Sequence, residues 1–175
     1  MGLSTRRVLL ALALALILPG LVAAQPTTTR VSVGPGGVGG IFPSGNPAIS
    51  ADGRWVAFDS QAYNLVPGDL NGWRDIFVRD QQQGTTTLVS VGAGGVQGNG
   101  HSYFPAISPD GRWVVFHSSA SNLVPGDTNG LPDVFVRDQL MGTTTRVNVG
   151  PGGAQANGLS HSQGISADGR WVVFD

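Results

Sequence analysis

PAISADGRWVAFDS, Pro47 to Ser60, decides how the rest of the chain is read. It returns as PAISPDGRWVVFHS at Pro105 to Ser118 and as QGISADGRWVVFD at Gln163 to Asp175, each copy 58 residues after the last. Other landmarks keep the same step. TTTRVSVGPGGVGG begins at Thr27, TTTLVSVGAGGVQG at Thr85 and TTTRVNVGPGGAQA at Thr143, while DIFVRD at Asp75 returns as DVFVRD at Asp133. A fixed period without insertions means one supersecondary unit stacked on copies of itself.

Each unit holds four strand-like runs between turn signals. In the first unit they are 46–50, 54–60, 75–80 and 85–91; in the second they are 104–108, 112–118, 133–138 and 143–149. Nothing after residue 24 has a helical pattern. Ala51-Asp52-Gly53, Pro109-Asp110-Gly111 and Ala167-Asp168-Gly169 read as tight hairpin turns whose glycine takes positive φ, and 81–84 and 139–142 close a second hairpin the same way. WVAF and WVVF are apolar at every position, which suits a strand covered on both faces. The fold class expected is all-β: propeller blades of four antiparallel strands, two complete and the others partial, with Trp55, Phe58, Ile107, Trp113 and Phe116 largely buried. Thr27 to Val33 is expected as an outermost strand. Because only two strands of a third unit follow, the chain reads as a truncated gene or assembly fragment, an open arc with an apolar edge at Trp171 to Phe174 that favours self-association.

The string P-A-I-S-x-D-G-R-W-V-x-F, followed by N-G-x-x-D-(I/V)-F-V-R-D, resembles the TolB-like β-propeller repeat of exported bacterial proteins, over essentially all of 27–175. That resemblance implies a propeller; a fold alone assigns no function. The chain departs from the family where longer loops, Gln61 to Arg74 and Ser119 to Pro132, join the second and third strands. A sialidase Asp-box fails on the spacing of its aspartate, glycine and aromatic.

Residues 1–24 read as a signal peptide: Arg6-Arg7, the apolar run Val8 to Leu18, then Val22-Ala23-Ala24 before a cleavage point at Gln25, leaving 25–175 as an exported chain without a membrane span. Paired arginines leave twin-arginine export open as the route. There is no cysteine, so neither a disulfide framework nor a lipid anchor on cysteine is available. All ten basic residues are arginine and all eleven acidic ones aspartate, for a formal net charge of −1. With no basic run, nucleic acid and anionic membrane are poor partners.

The best chemical constellation is D-x-N-G-x-x-D in the long loops, Asp69, Asn71 and Asp75 in one unit and Asp127, Asn129 and Asp133 in the next. Oxygen ligands alternating around a glycine suit calcium, and the loops resemble those of integrin-type propellers. Pro67 and Pro125 stand where the first ligand, normally Asp, is expected, with Asn64 and Asn122 near enough to contribute. The competing reading makes these residues self-capping turns. His101, His117 and His161 fall at three repeat phases, those of Pro43, Asp59 and Tyr103, which argues against one repeated metal or acid/base site and for surface or interblade positions. No nucleophile elbow, cysteine or glutamate is present, so no catalytic residue is assigned. Trp55, Trp113 and Trp171 recur in phase and read as packing residues, whereas Trp73 does not recur and is the tryptophan placed for binding. The expected role is a non-catalytic exported scaffold binding a protein or glycan; the alternatives are the propeller part of a larger secreted hydrolase or peptidase, and a calcium-binding propeller.

Overall fold

A computed structural model describes residues 28–175; the expected signal peptide, 1–24, lies outside them. The described chain is all-β. The first unit contains β1 (Ser44–Ile49), β2 (Trp55–Ser60), β3 (Asp75–Asp80) and β4 (Thr85–Leu88); the second contains β5 (Ser102–Ile107), β6 (Trp113–Ser118), β7 (Asp133–Asp138) and β8 (Thr143–Arg146). Each forms a four-stranded antiparallel meander in sequence order, and β9 (Ser162–Ile165) pairs with β10 (Val172–Phe174) to begin a third. These are two propeller blades and a half. β1, β5 and β9 lie beside one another, so the first strands of successive blades stand at the axis.

The S-x-D-G-R-W string wires the first hairpin of every unit. Ser50 Oγ donates to Asp52 Oδ1 (2.6 Å) and accepts from the Trp55 N–H (2.9 Å), while the Arg54 N–H donates to Asp52 Oδ1 (3.0 Å). The same bonds recur around Asp110 and Asp168. Arg54 then reaches across the sheet in a bidentate pair with Asp80, at 3.1 and 2.7 Å, and Arg112 does the same with Asp138 at 3.0 and 2.6 Å. Asp80 also caps the second hairpin by accepting the Gln82 and Gln83 N–H groups, so one carboxylate ties two hairpins of a blade together. These bonds hold its carboxyl down at about 2.

Blades are joined by apolar packing. Ala57, Ile76, Val78 and Val89 of the first meet Val114, Phe116, Leu123 and Phe135 of the second in one core, with Trp55 and Ile107 at its border. Val115, Val134 and Val136 meet Ile165 and Val172 of the third unit. Burial of each phenylalanine here is worth about 1.5–3 kcal/mol. Trp55 lies on the hairpin of the next blade: a Cβ added at Gly111 would stand 2.1 Å from its Cδ1, and one at Gly169 would stand 2.4 Å from Trp113 Cε2.

Three expectations are corrected. Residues 28–33 form no strand: Val33 makes an isolated bridge to Gly39, and the sequence one period before DIFVRD, residues 17–22, carries no such run for this segment to pair with. The outer strands stop at Leu88 and Arg146 rather than 91 and 149, since Val91 turns back to bond the Val89 carbonyl (2.8 Å). Phe58 and Phe116 are buried and Trp55, Trp113 and Ile107 are largely buried, as expected, the last three covering the blade junctions from their borders. Three short 3₁₀ turns, Pro35–Gly37, Ala93–Gly95 and Pro151–Gly153, interrupt the otherwise strand-and-loop chain.

Gly53, Gly111 and Gly169 all have positive φ, 74°, 77° and 71°. Alanine at Gly53 meets only that backbone strain, about 1–2 kcal/mol. Alanine at Gly111 must also lift Trp55, adding about 1–3 kcal/mol. Denaturant unfolding should therefore find Gly111→Ala clearly less stable than Gly53→Ala; equal losses would remove the tryptophan from this role.

Candidate functional site

The two long loops bring their motif residues together as turns around a buried carboxylate. In the first, Asn71 Nδ2 donates to Asp75 Oδ2 (2.7 Å) and to the Gly98 carbonyl (3.2 Å), its Oδ1 accepts the Trp73 N–H (2.9 Å), and Ser90 Oγ donates to Asp75 Oδ1 (2.6 Å). In the second, Asn129 Nδ2 donates to both Asp133 oxygens (3.2 Å each) and Asn148 takes the part of Ser90, donating to Asp133 Oδ1 at 2.7 Å. Leu70 at the tip is exposed, so the loops reach the rim while Asp69, Asp75 and Asp133 turn inward and are buried. Asn64 and Asn122 do not join them: their amides bond the Gly39 and Gln97 carbonyls of the preceding glycine-rich segments.

The loops differ in charge. Arg146 sits between the carboxylates of the second, 3.1 Å from Asp127 Oδ1 and 3.0 Å from Asp133 Oδ2. One period earlier stands Leu88, which packs on the Phe58–Phe77 cluster. Asp69 and Asp75 thus share a buried loop without a guanidinium, and burial pushes Asp75 up to about 6 despite its bonds from Ser90 and Asn71. Burial also raises Asp69 and Asp127; for Asp127 the charge of Asp133 adds to the rise and Arg146 opposes it. Among the described residues no group of three or more His, Asp, Glu or Cys side chains is gathered as a metal site.

A second constellation was not legible as such in the repeat. The three histidines, at separate phases, converge in one row of rings across the units. Trp73 meets His101 edge-on at 4.8 Å, His101 lies 5.7 Å from Tyr103, Tyr103 stacks on His117 at 5.7 Å, Phe104 lies 5.3 Å from His117, and His117 meets His161 edge-on at 4.9 Å. Different phases on adjacent blades become neighbours at a blade junction, which is why the period hid them. His101 Nδ1 accepts the Arg74 N–H (2.9 Å), which orients its ring. His117 is buried, its Nδ1 has no hydrogen-bond partner, and burial, reinforced by His161, drives its pKa down to about 4 against a weaker pull from Asp59. The signal that marks the place is a paired departure from the repeat. Asp59 and Arg74 form an ion pair in the first unit, and one period later the same positions are His117 and Pro132.

Phe104 has φ of +49° at the bulge of β5, a conformation costing about 1–2 kcal/mol for a residue with a side chain. The equivalent Asn46, φ +48°, is of a type that tolerates it better. Phe104 remains 50% exposed and Trp73 40% exposed, and Phe104 borders a groove of about 310 Å³ with His161, Ser162, Gln163 and Asp175. Trp73 is thus open to solvent as expected, and it belongs to a row of rings rather than standing alone. The row offers aromatic faces and imidazole nitrogens, a surface for stacking and hydrogen bonding.

The two titrations oppose each other. Asp75, raised above its ordinary 3.8 to about 6, loses stability as pH rises through that interval. His117, lowered from 6.5 to about 4, loses stability as pH falls through its own interval. In melts from pH 7 to 4, His117→Phe should therefore be more acid-resistant than the parent. Leu88→Arg, copying Arg146, should raise stability most near pH 7 and least near pH 4. A Leu88→Arg gain that is flat with pH would deny that Asp75 lacks a counter-charge.

No family model matches the chain, and no curated protein does. Among solved structures it is similar to TolB from Acinetobacter baumannii (21% identity, TM-score 0.45), covering 76% of this chain and 26% of that one. It is similar to the putative TolB from Agrobacterium tumefaciens (21%, 0.49), covering 75% and 38%. The β-propeller domain of the Trilobed protease from Pyrococcus furiosus (13%, 0.48) covers 76% and 34%. The chain thus spans between about a quarter and two fifths of these proteins' lengths.

Proposed function

We propose that the chain is an exported, non-catalytic propeller scaffold that binds a protein or glycan partner through the ring row from Trp73 to His161. The observation that carries this reading is Phe104. A bulky apolar side chain is held half-exposed at positive φ, beside a buried imidazole with an unpartnered nitrogen. Strained residues of this kind persist where the surrounding structure over-determines them, and they cluster at ligand sites. Export rests on the leader-like residues 1–24, and among the described residues no helix is long and apolar enough to cross a membrane. Screening the exported protein against arrayed oligosaccharides and envelope polypeptides tests the reading. Trp73→Ala and Phe104→Ala should each weaken the bound ligand by about tenfold or more, as hot-spot aromatics do, without lowering the melting temperature. Ligands indifferent to both substitutions, or turnover of ester or amide substrates, would overturn it.

A second reading, calcium at Asp69 and Asp75, is favoured by one contrast: the first loop has Leu88 where the second has the Arg146 guanidinium. Calcium at the second loop would have to displace Arg146. Millimolar calcium should then raise the melting temperature by mass action, with Asp69→Asn removing the rise and Asp127→Asn leaving it. A melt indifferent to calcium and chelator leaves both loops as turns.

A further inference from the structure

The second hairpin of each complete blade is built alike and ends differently. Gln81 and Gln139 tie it to the first hairpin, each donating its backbone N–H to an arginine carbonyl, Arg54 or Arg112, and its side-chain amide to a glycine carbonyl, Gly53 or Gly111. Asp80 and Asp138 hold the next two N–H groups in both units. Those two residues are Gln82-Gln83 in the first unit and Leu140-Met141 in the second. The change leaves Leu140 73% and Met141 67% exposed. Position in the stack does not account for that exposure: the first unit has a complete unit after it and still exposes all of residues 81–84, so a following blade does not cover this tip. Leu140 also lines a groove of about 330 Å³ with Trp55, Asp110, Gly111, Arg112 and Gln139. Every one of these residues belongs to the two complete units, and the groove lies at the junction between them.

We propose that the Trp55–Leu140 groove docks a partner polypeptide, which inserts an apolar side chain beside Trp55 and Leu140 and sets a neighbouring basic side chain against Asp110. The apolar anchor follows from the walls, an indole and a leucine side chain over the Gly111 backbone, the kind of pocket in which interface affinity concentrates. Met141 next to it adds an adaptable apolar contact. Charge complementarity selects the basic neighbour. Asp110 stands exposed at the groove, and the Ser108 hydroxyl and the Arg112 N–H, both bonded to its Oδ1, hold its carboxyl below its ordinary 3.8, so it is ionised. The Arg112 guanidinium is already bound by Asp138 and lies over Trp113, which leaves one arginine against two aspartates and a negative rim. Gln139 pins the hairpin that forms the floor, so the groove needs little ordering on binding. β2 and β6 start at Trp55 and Trp113 and end beside the long loops, so the groove and the ring row lie at opposite ends of the strands. The groove therefore stands whether or not that row binds a ligand.

Titration of the protein with end-blocked synthetic peptides, followed by nuclear magnetic resonance, tests this. Gly-Leu-Arg-Gly and Gly-Phe-Arg-Gly should shift the Trp55 indole N–H and the Leu140 methyl signals. Exchanging the peptide's arginine for glutamate, or its apolar residue for serine, should weaken binding by about tenfold or more. Leu140→Gln combined with Met141→Gln should abolish the shifts and leave the melting temperature unchanged, because it copies the hairpin that the first unit already carries. Silence at Trp55 and Leu140 toward every peptide overturns the proposal, as do shifts that survive in the double variant or glutamate peptides that bind equally well. Two further results overturn it by naming another occupant. Self-association of the parent that the double variant loses would give the tip to a second copy of the chain. Co-sedimentation with phosphatidylcholine vesicles, lost in the same variant, would give it to a lipid surface.

Discussion

An indole laid on the hairpin glycine of the next unit is the contact on which the blade stack depends. Trp55 on Gly111 and Trp113 on Gly169 fix how far one sheet stands from its neighbour. Glycine meets two demands at once there, since the turn requires positive φ and the tryptophan leaves no room for a Cβ. With that spacing set, β2 and β6 are covered on both faces, and their uninterrupted apolar runs become an advantage rather than an aggregation hazard.

The polar wiring is subordinate to this packing and orients it. Arg54 and Arg112 lie over their neighbouring tryptophan rings, 4.6 and 4.5 Å from the centroids, while their guanidiniums hold Asp80 and Asp138. Each arginine therefore presses the indole that faces the next blade and ties the blade's second hairpin to its first. The D-G-R-W and V-R-D strings lie far apart in sequence and act as one device.

Between the units, the same geometric slot is balanced by different electrostatics. Asp59 meets Arg74 in the first unit, where the second has a neutral, buried His117 and Pro132. At the long loops the reverse holds: the second unit supplies Arg146 for Asp127 and Asp133, and the first leaves Asp69 and Asp75 beside Leu88. The fold tolerates both because its stability rests on apolar junctions common to all units.

The period of the sequence by itself determined the all-β architecture, the four strands per unit, the hairpin turns and the blade phase, because those features are local and repeat with the residues that encode them. The motif carboxylates of the long loops were legible too, as residue types suited to turns or to an ion. Tertiary structure decided which of them carry an uncompensated charge, since Arg146 reaches them from a different strand. It also decided that His101, His117 and His161 form one row with Trp73, Tyr103 and Phe104. A period compares each residue with its own phase in the next unit, whereas a blade junction brings different phases into contact. Only the three-dimensional stacking of the units makes those residues neighbours.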